Sequence, residues 1–221
     1  IERDVRTLNN VGDLREFRRL LNLLATRVGT LLNLSELAND LGVAVNTIKR
    51  WISVLEASYI VFLLPPFYQN LGKRLIKSPK IYFYDTGIVS YLSGIETEKQ
   101  FEQGPMAGNL FENFVVSDIY KQIKHNDNRA QLYYFRTHLK QEVDLIIDYK
   151  THQDWLEIKK SGTFSLKMIK HIKRLFVDAG NKDNKLRGYL VYRGDEFIIS
   201  DEIKALNYLV FLQEVFNYTK D

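Results

Sequence analysis

Two short runs in the second half of the chain, Glu142-Val-Asp144 and Glu157-Ile-Lys159, combine residue types that can handle phosphate chemistry. Two carboxylates held close together repel one another unless a cation lies between them, and hard oxygen ligands with open water positions suit Mg²⁺ or Mn²⁺. A lysine two residues beyond the second carboxylate can orient an attacking water or stabilise charge building on a phosphate. Glu112, one helical turn before Val115 and Val116, stands among apolar neighbours and is a candidate third carboxylate. The set describes metal-assisted hydrolysis of a phosphodiester: Asp144, Glu157 and Lys159 are the candidate catalytic groups, and Glu112, Asp144 and Glu157 the candidate metal ligands. A Glu and a Lys two apart on a strand also describe an ordinary solvated face, so the weight rests on the elements that carry them.

Those elements follow an informative order. The patterning predicts a helix from about Met106 to Lys124, a strand at Gln131–Arg136, and strands around Glu142–Tyr149 and Asp154–Lys160. A basic amphipathic helix over about Leu166–Ala179 follows, with Lys167, Lys170, Lys173 and Arg174 on its polar face, then strands at Leu186–Tyr192 and Phe197–Ser200 and a final helix from about Glu202 to Phe216. Side chains alternate along a strand, so Glu157 and Lys159 share one face and Leu156 and Ile158 the other. Whether Asp144 joins them depends on the hairpin. An even number of residues between paired positions puts both carboxylates on one side, and an odd number without a bulge separates them.

The first third reads differently. Leu14, Phe17, Leu20, Leu21 and Leu24 recur at helical spacing with Arg15, Arg18 and Arg19 between them. In Leu34-Ser-Glu-Leu-Ala-Asn-Asp-Leu-Gly42, Ser35 is a candidate N-cap and Gly42 supplies the left-handed turn that ends a short helix. A second helix follows, with Asn46 as candidate N-cap, Ile48, Trp51, Ile52 and Leu55 as its apolar face, and Thr47, Lys49, Arg50 and Ser53 outward. Helix, glycine turn and helix with a basic polar face is the helix-turn-helix pattern. Tyr59–Leu64 and Leu75–Tyr84, separated by Pro65-Pro66, are expected to form the hairpin of a winged version, with Lys73, Arg74, Lys77 and Lys80 in and around the connecting segment. On the functional reading Lys49 and Arg50 approach a DNA groove while Lys73, Arg74 and Lys77 meet phosphates; a protein-docking module would use the same fold. Asp85 is expected to cap a further short helix, and the polar stretch Glu96–Pro105 to be a loop marking the domain boundary.

Composition bounds these readings. The chain has 221 residues and a net charge of +4, carried entirely by residues 1–77, where 11 basic side chains face 7 acidic ones; the remainder balances at 20 of each. The absence of cysteine excludes a disulfide framework, a thiolate zinc site and a cysteine nucleophile. The four histidines show no ligand pairing. The longest apolar stretch, Ile60–Leu64, falls far short of the roughly 20 residues of a membrane helix. No signal peptide is evident, so the expected location is the cytoplasm, and an opening without methionine suggests a fragment of something longer.

The order helix, three strands, helix, strand, together with Glu112, Asp144 and Glu157-Ile-Lys159, resembles the PD-(D/E)xK nuclease superfamily over about residues 101–200. That resemblance implies metal binding by Asp144 and Glu157 and water activation assisted by Lys159, although Val143 stands where the family's proline would be. The chain as a whole resembles the carboxy-terminal region found behind an AAA+ ATPase in many bacterial and archaeal proteins. Asn33-Leu-Ser-Glu-Leu-Ala38, Leu71-Gly-Lys-Arg74, Lys77-Ser-Pro-Lys-Ile-Tyr-Phe-Tyr-Asp-Thr-Gly87 and Phe111-Glu-Asn-Phe-Val115 carry the resemblance, beside the two acidic runs. It implies an ATP-driven module ahead of residue 1; Gly72-Lys73 followed by Arg74 is not a P-loop, so ATP would act only through that fused module. The expected architecture is therefore α+β or α/β, with a winged-helix-like helical domain over residues 1–95 and a restriction-endonuclease-like αβββαβ domain over 96–221. The expected function is Mg²⁺- or Mn²⁺-dependent hydrolysis of DNA, as a monomer or an oligomer, and the alternative a non-catalytic DNA- or protein-binding regulatory module on an inactive nuclease fold.

Overall fold

The computed structural model describes residues 13–67, 77–125, 129–139, 141–179 and 186–216. They form a mixed α+β protein with two sheets. Contacts divide it into two compact units: Ser78–Ser117 joins the chain up to Leu64, and Pro65–Lys77 joins Asp118 onward.

In the first unit, α1 (Leu14–Thr26) is capped by Asp13, whose carboxylate accepts from the backbone N–H of Arg15 and Glu16. Its apolar stripe, Phe17, Leu20, Leu21 and Leu24, is buried, and Phe17 meets Trp51 edge-on at 5.7 Å between ring centroids. The next helix, α2 (Leu34–Leu41), is capped by Asn33 rather than Ser35: Asn33 has the extended backbone of a cap, and its side chain accepts from Glu36 N–H. Gly42 ends this helix in the left-handed conformation, φ 65°, and Val43 N–H closes back on the Ala38 carbonyl. That compact exit leaves only Val43 and Ala44 before α3 (Val45–Ala57). The cap is consequently Ala44, without a side-chain bond, and Asn46 already lies in the first turn.

The expected hairpin forms, with β1 (Val61–Leu64) antiparallel to β2 (Lys80–Phe83) and Val61 opposite Phe83. Gly29–Leu32 runs along the other side of β2: Gly29 N–H donates to the Ile81 carbonyl and Ile81 N–H to that of Thr30. Asp85 caps α4 (Thr86–Leu92). The segment expected as a loop contains α5 (Glu98–Gln103), because Thr97 and Gln100 form a reciprocal capping box. The long helix α6 (Ala107–His125) gives Leu110 to the core of this unit and its later turns to the second.

The second unit is built on a six-stranded sheet, β3 (Gln131–Arg136), β4 (Glu142–Asp148), β5 (Gln153–Ile158), β6 (Leu186–Tyr192), β7 (Phe197–Ser200) and β8 (Ile203–Asn207), in the order β3-β4-β5-β6-β8-β7. The first three strands are antiparallel; β5 and β6 are parallel, joined by a 3₁₀ turn at Leu166–Ile169 and α7 (Lys170–Ala179). A parallel pair needs such a crossover. The expected final helix is corrected here. Its first part is β8, parallel to β6 with Gly188 opposite Ile203, and only α8 (Tyr208–Phe216) is helical. Lys-Ala-Leu within β8 favours a helix locally, but pairing along β6 and burial of Ile203, Ala205 and Leu206 override that preference.

Trp155 anchors one core of this unit with Phe67, Phe135 and Phe176, and Ile172 and Leu175 bring the apolar face of α7 onto it. Gly188 is what lets α7 sit so close. A Cβ there would lie 2.9 Å from Ile172 Cγ2 and 3.1 Å from Ile203 Cγ1. Gly188→Ala is expected to lower stability by about 1–3 kcal/mol through overpacking, measured by urea denaturation; an unchanged midpoint would contradict the close packing of α7.

Candidate active site

Strands β4 and β5 position the site. Their register runs from Asp148 opposite Gln153 to Leu145 opposite Leu156, closing a loop of residues 149–152. The loop is even, so continuing the register one step sets Asp144 opposite Glu157 on the same face. Lys159 follows immediately, still tied to the sheet by its N–H on the Val191 carbonyl.

The three side chains converge. Lys159 Nζ donates to Asp144 Oδ2 at 2.8 Å and pairs with Glu157 Oε2 at 3.0 Å, while Ile158 N–H donates to the same Asp144 oxygen at 2.8 Å. Asp144 and Glu157 are only 6% and 4% exposed, whereas the Lys159 side chain is 39% exposed. Lys159 is thus the most exposed of the three side chains, and its ammonium bridges two sunken carboxylates. Burial, and then the charge of Asp144, hold the Glu157 pKa well above the carboxylate range. Burial alone would lower the Lys159 pKa, but Asp144 and Glu157 outweigh it and keep the ammonium charged.

The other oxygen of Glu157, Oε1, is buried and receives no hydrogen bond among the described residues. A buried lone pair without a donor carries a desolvation cost. His171 on α7, which the sequence reading passed over, has Nδ1 3.9 Å from that oxygen and accepts a long bond, 3.5 Å, from Glu142 N–H. Nothing in the sequence marks it, because its neighbours come from strands far along the chain.

Glu112 is engaged within the first unit. Its Oε1 accepts from Tyr82 OH at 2.6 Å and from Lys80 Nζ at 3.2 Å, and its carboxylate lies against Gly29. Lys80, expected among the wing lysines, is 2% exposed and points inward to this carboxylate. Among the described residues, no three His, Cys, Asp or Glu side chains are grouped so as to hold a metal ion. Lys49, Arg50 and Lys77 are exposed, whereas Lys73 and Arg74 lie outside the described residues. A second ion pair in the sheet, also missed from sequence, joins fully buried Asp154 to the exposed Arg187 through two bonds of 2.6 and 2.9 Å. Parallel register sets the two opposite one another, and both carboxylate oxygens are satisfied.

Comparison with known proteins gives two domains. Residues 1–99 match the model of a domain of unknown function (DUF8612), and residues 107–211 match that of another (DUF4143). At the level of whole proteins, the chain is 32% identical over 207 residues to the uncharacterized protein Mb2031c of Mycobacterium bovis and, at the same identity, to the uncharacterized protein Rv2008c of Mycobacterium tuberculosis. The alignment covers 93% of this chain and 45% of each relative, so the chain spans about half the length of the curated relatives it matches. Among the described residues, no helix is long and apolar enough to cross a membrane.

Proposed function

We propose that the second unit is a metal-dependent phosphodiesterase of restriction-endonuclease-like fold, acting on DNA. The observation that carries this is the convergence of Asp144, Glu157 and Lys159 with a buried, bond-less Glu157 oxygen. Such an oxygen fits a cation far better than it fits the protein around it. Asp144 and Glu157 would hold Mg²⁺ or Mn²⁺, which would supply Lewis acidity and a more acidic bound water. Lys159 Nζ, kept protonated by the carboxylates, would donate to a phosphate oxygen or orient the water. Glu112, occupied by Lys80 and Tyr82, is left out of the ligand set. Within the first unit, α1 to α3 and the β1–β2 hairpin, with Lys49 and Arg50 exposed, would form a winged-helix DNA-binding domain. The greater length of the relatives supports placing this region within a longer protein, for which we propose a fused AAA+ ATPase module in the cytoplasm.

The experiment is cutting of labelled DNA with Mg²⁺ or Mn²⁺. Asp144→Asn and Glu157→Gln are each expected to reduce the rate at least about 100-fold while circular dichroism stays unchanged. Wild-type rates in both variants would eliminate this site.

One observation favours a second reading. Lys159 already bridges the two carboxylates, so the cluster is also a stable ion pair without any metal. On that reading the fold is a non-catalytic DNA- or protein-binding module. Titration calorimetry separates the two: heat from Mn²⁺ that disappears in Glu157→Gln supports the enzyme, and no binding supports the scaffold.

A further inference from the structure

We propose that the outer face of α7 is a track for a nucleic-acid backbone beside the carboxylate–lysine site, an inference that rests on the reading of that site as a phosphodiesterase. Ile172, Leu175 and Phe176 turn one side of the helix into the core. Lys170, Lys173 and Arg174 lie on the opposite side at helical spacing, and Lys167 stands in the 3₁₀ turn just before them. All four are exposed. None has an ion-pair partner among the described residues, although ion pairs involve many other cations of the protein, among them Arg19, Arg27, Arg136 and Lys204.

The helix is anchored at the site. His171, next to Lys170 and on the flank of the cationic face, has its ring against Glu157 Oε1 and Glu142 N–H. The cationic stripe therefore starts beside the buried carboxylates. The site itself cannot attract a polyanion, since its one ammonium is spent on Asp144 and Glu157. A phosphodiester approaching two carboxylates needs positive charge from nearby, and exposed cations along one helix supply it at regular spacing. Regular spacing of like charges on one helix suits a repeating phosphate chain better than a single phosphate.

The test is fluorescence anisotropy of a labelled 20-base-pair duplex and of its single strand, with the full chain in EDTA so that no cutting intervenes. Lys167→Ala, Lys170→Ala, Lys173→Ala and Arg174→Ala would be combined, in wild type and in a Lys49→Ala, Arg50→Ala background. We expect at least about tenfold weaker binding and a logarithmic salt slope smaller by about 3 in either background, since each duplex phosphate contact contributes about 0.9. Lys170→Arg with Lys173→Arg should keep both values. An unchanged slope with intact binding, no binding by the wild type, or equal competition by poly-glutamate would each overturn the proposal. Loss of cutting is scored separately with Mg²⁺. The expected fall in slope together with no cutting by the wild type would refute the enzyme reading and not the track, whereas an unchanged slope in an active enzyme would refute the track alone.

Discussion

Lys159→Ala is expected to destabilise the second unit by about 3 kcal/mol at pH 8. The ammonium lies within ion-pair distance of both Asp144 and Glu157, and its charge does not depend on pH in this range. Removing it leaves two nearly buried carboxylates facing one another. The partial exposure of Lys159 places the cost at the lower end of that for broken buried pairs. The pH dependence has a definite sign. The Glu157 pKa is raised in the folded state, so the folded chain holds this proton more tightly than the unfolded one; stability is fullest below the ordinary carboxylate value and falls as pH rises through the folded value. Loss of Lys159 removes an influence that lowers this pKa and so widens that window. The deficit of the variant should therefore shrink between pH 8 and pH 5, and Glu157→Gln added to Lys159→Ala should recover most of it. Urea denaturation at several pH values measures both; a deficit independent of pH, unrelieved by Glu157→Gln, would contradict this account.

Glu112→Ala is expected to cost a similar amount, about 3 kcal/mol, but in the first unit and for a different reason. Its carboxylate faces the buried Lys80 ammonium and accepts from Tyr82 OH, tying α6 to β2. Glu112→Gln keeps an acceptor for Tyr82 and loses only the charge, so it should fall between wild type and alanine. Thermal and urea unfolding read these losses. If Glu112→Ala leaves stability untouched yet abolishes metal-dependent cutting, Glu112 is a ligand after all and its ion pair is incidental.

The two glutamates illustrate what a sequence can carry. Glu112 was a candidate because it stood among apolar neighbours and Glu157 because it opens the Glu-Ile-Lys run that follows Asp144, and the sequence thereby located two paired groups. It could not say with what each is paired. For Glu157 the partner Lys159 is two residues away, within reach of strand alternation. For Glu112 the partners are Lys80 and Tyr82, some thirty positions earlier. Lys80 was misplaced on the surface for the same reason, since a lysine near a turn is exposed unless a distant carboxylate draws it in.

The amino-acid sequence carries those features that depend on neighbours along the chain. It specified the helix of Leu14 and its buried stripe, the left-handed turn at Gly42, the cap at Asp85, and the strands Gln131–Arg136, Leu186–Tyr192 and Phe197–Ser200, whose patterns of apolar residues and turn signals lie within a few positions. Features that depend on register and on distant partners come from the fold. The even loop that sets Asp144 opposite Glu157 became known only with Asp148 paired to Gln153. The strand Ile203–Asn207 exists because β6 offers it an edge, and His171 reaches Glu157 because the crossover brings α7 back over the sheet. Local propensity is worth less than about 1 kcal/mol per residue, so pairing and burial across the chain outweigh it wherever the two conflict.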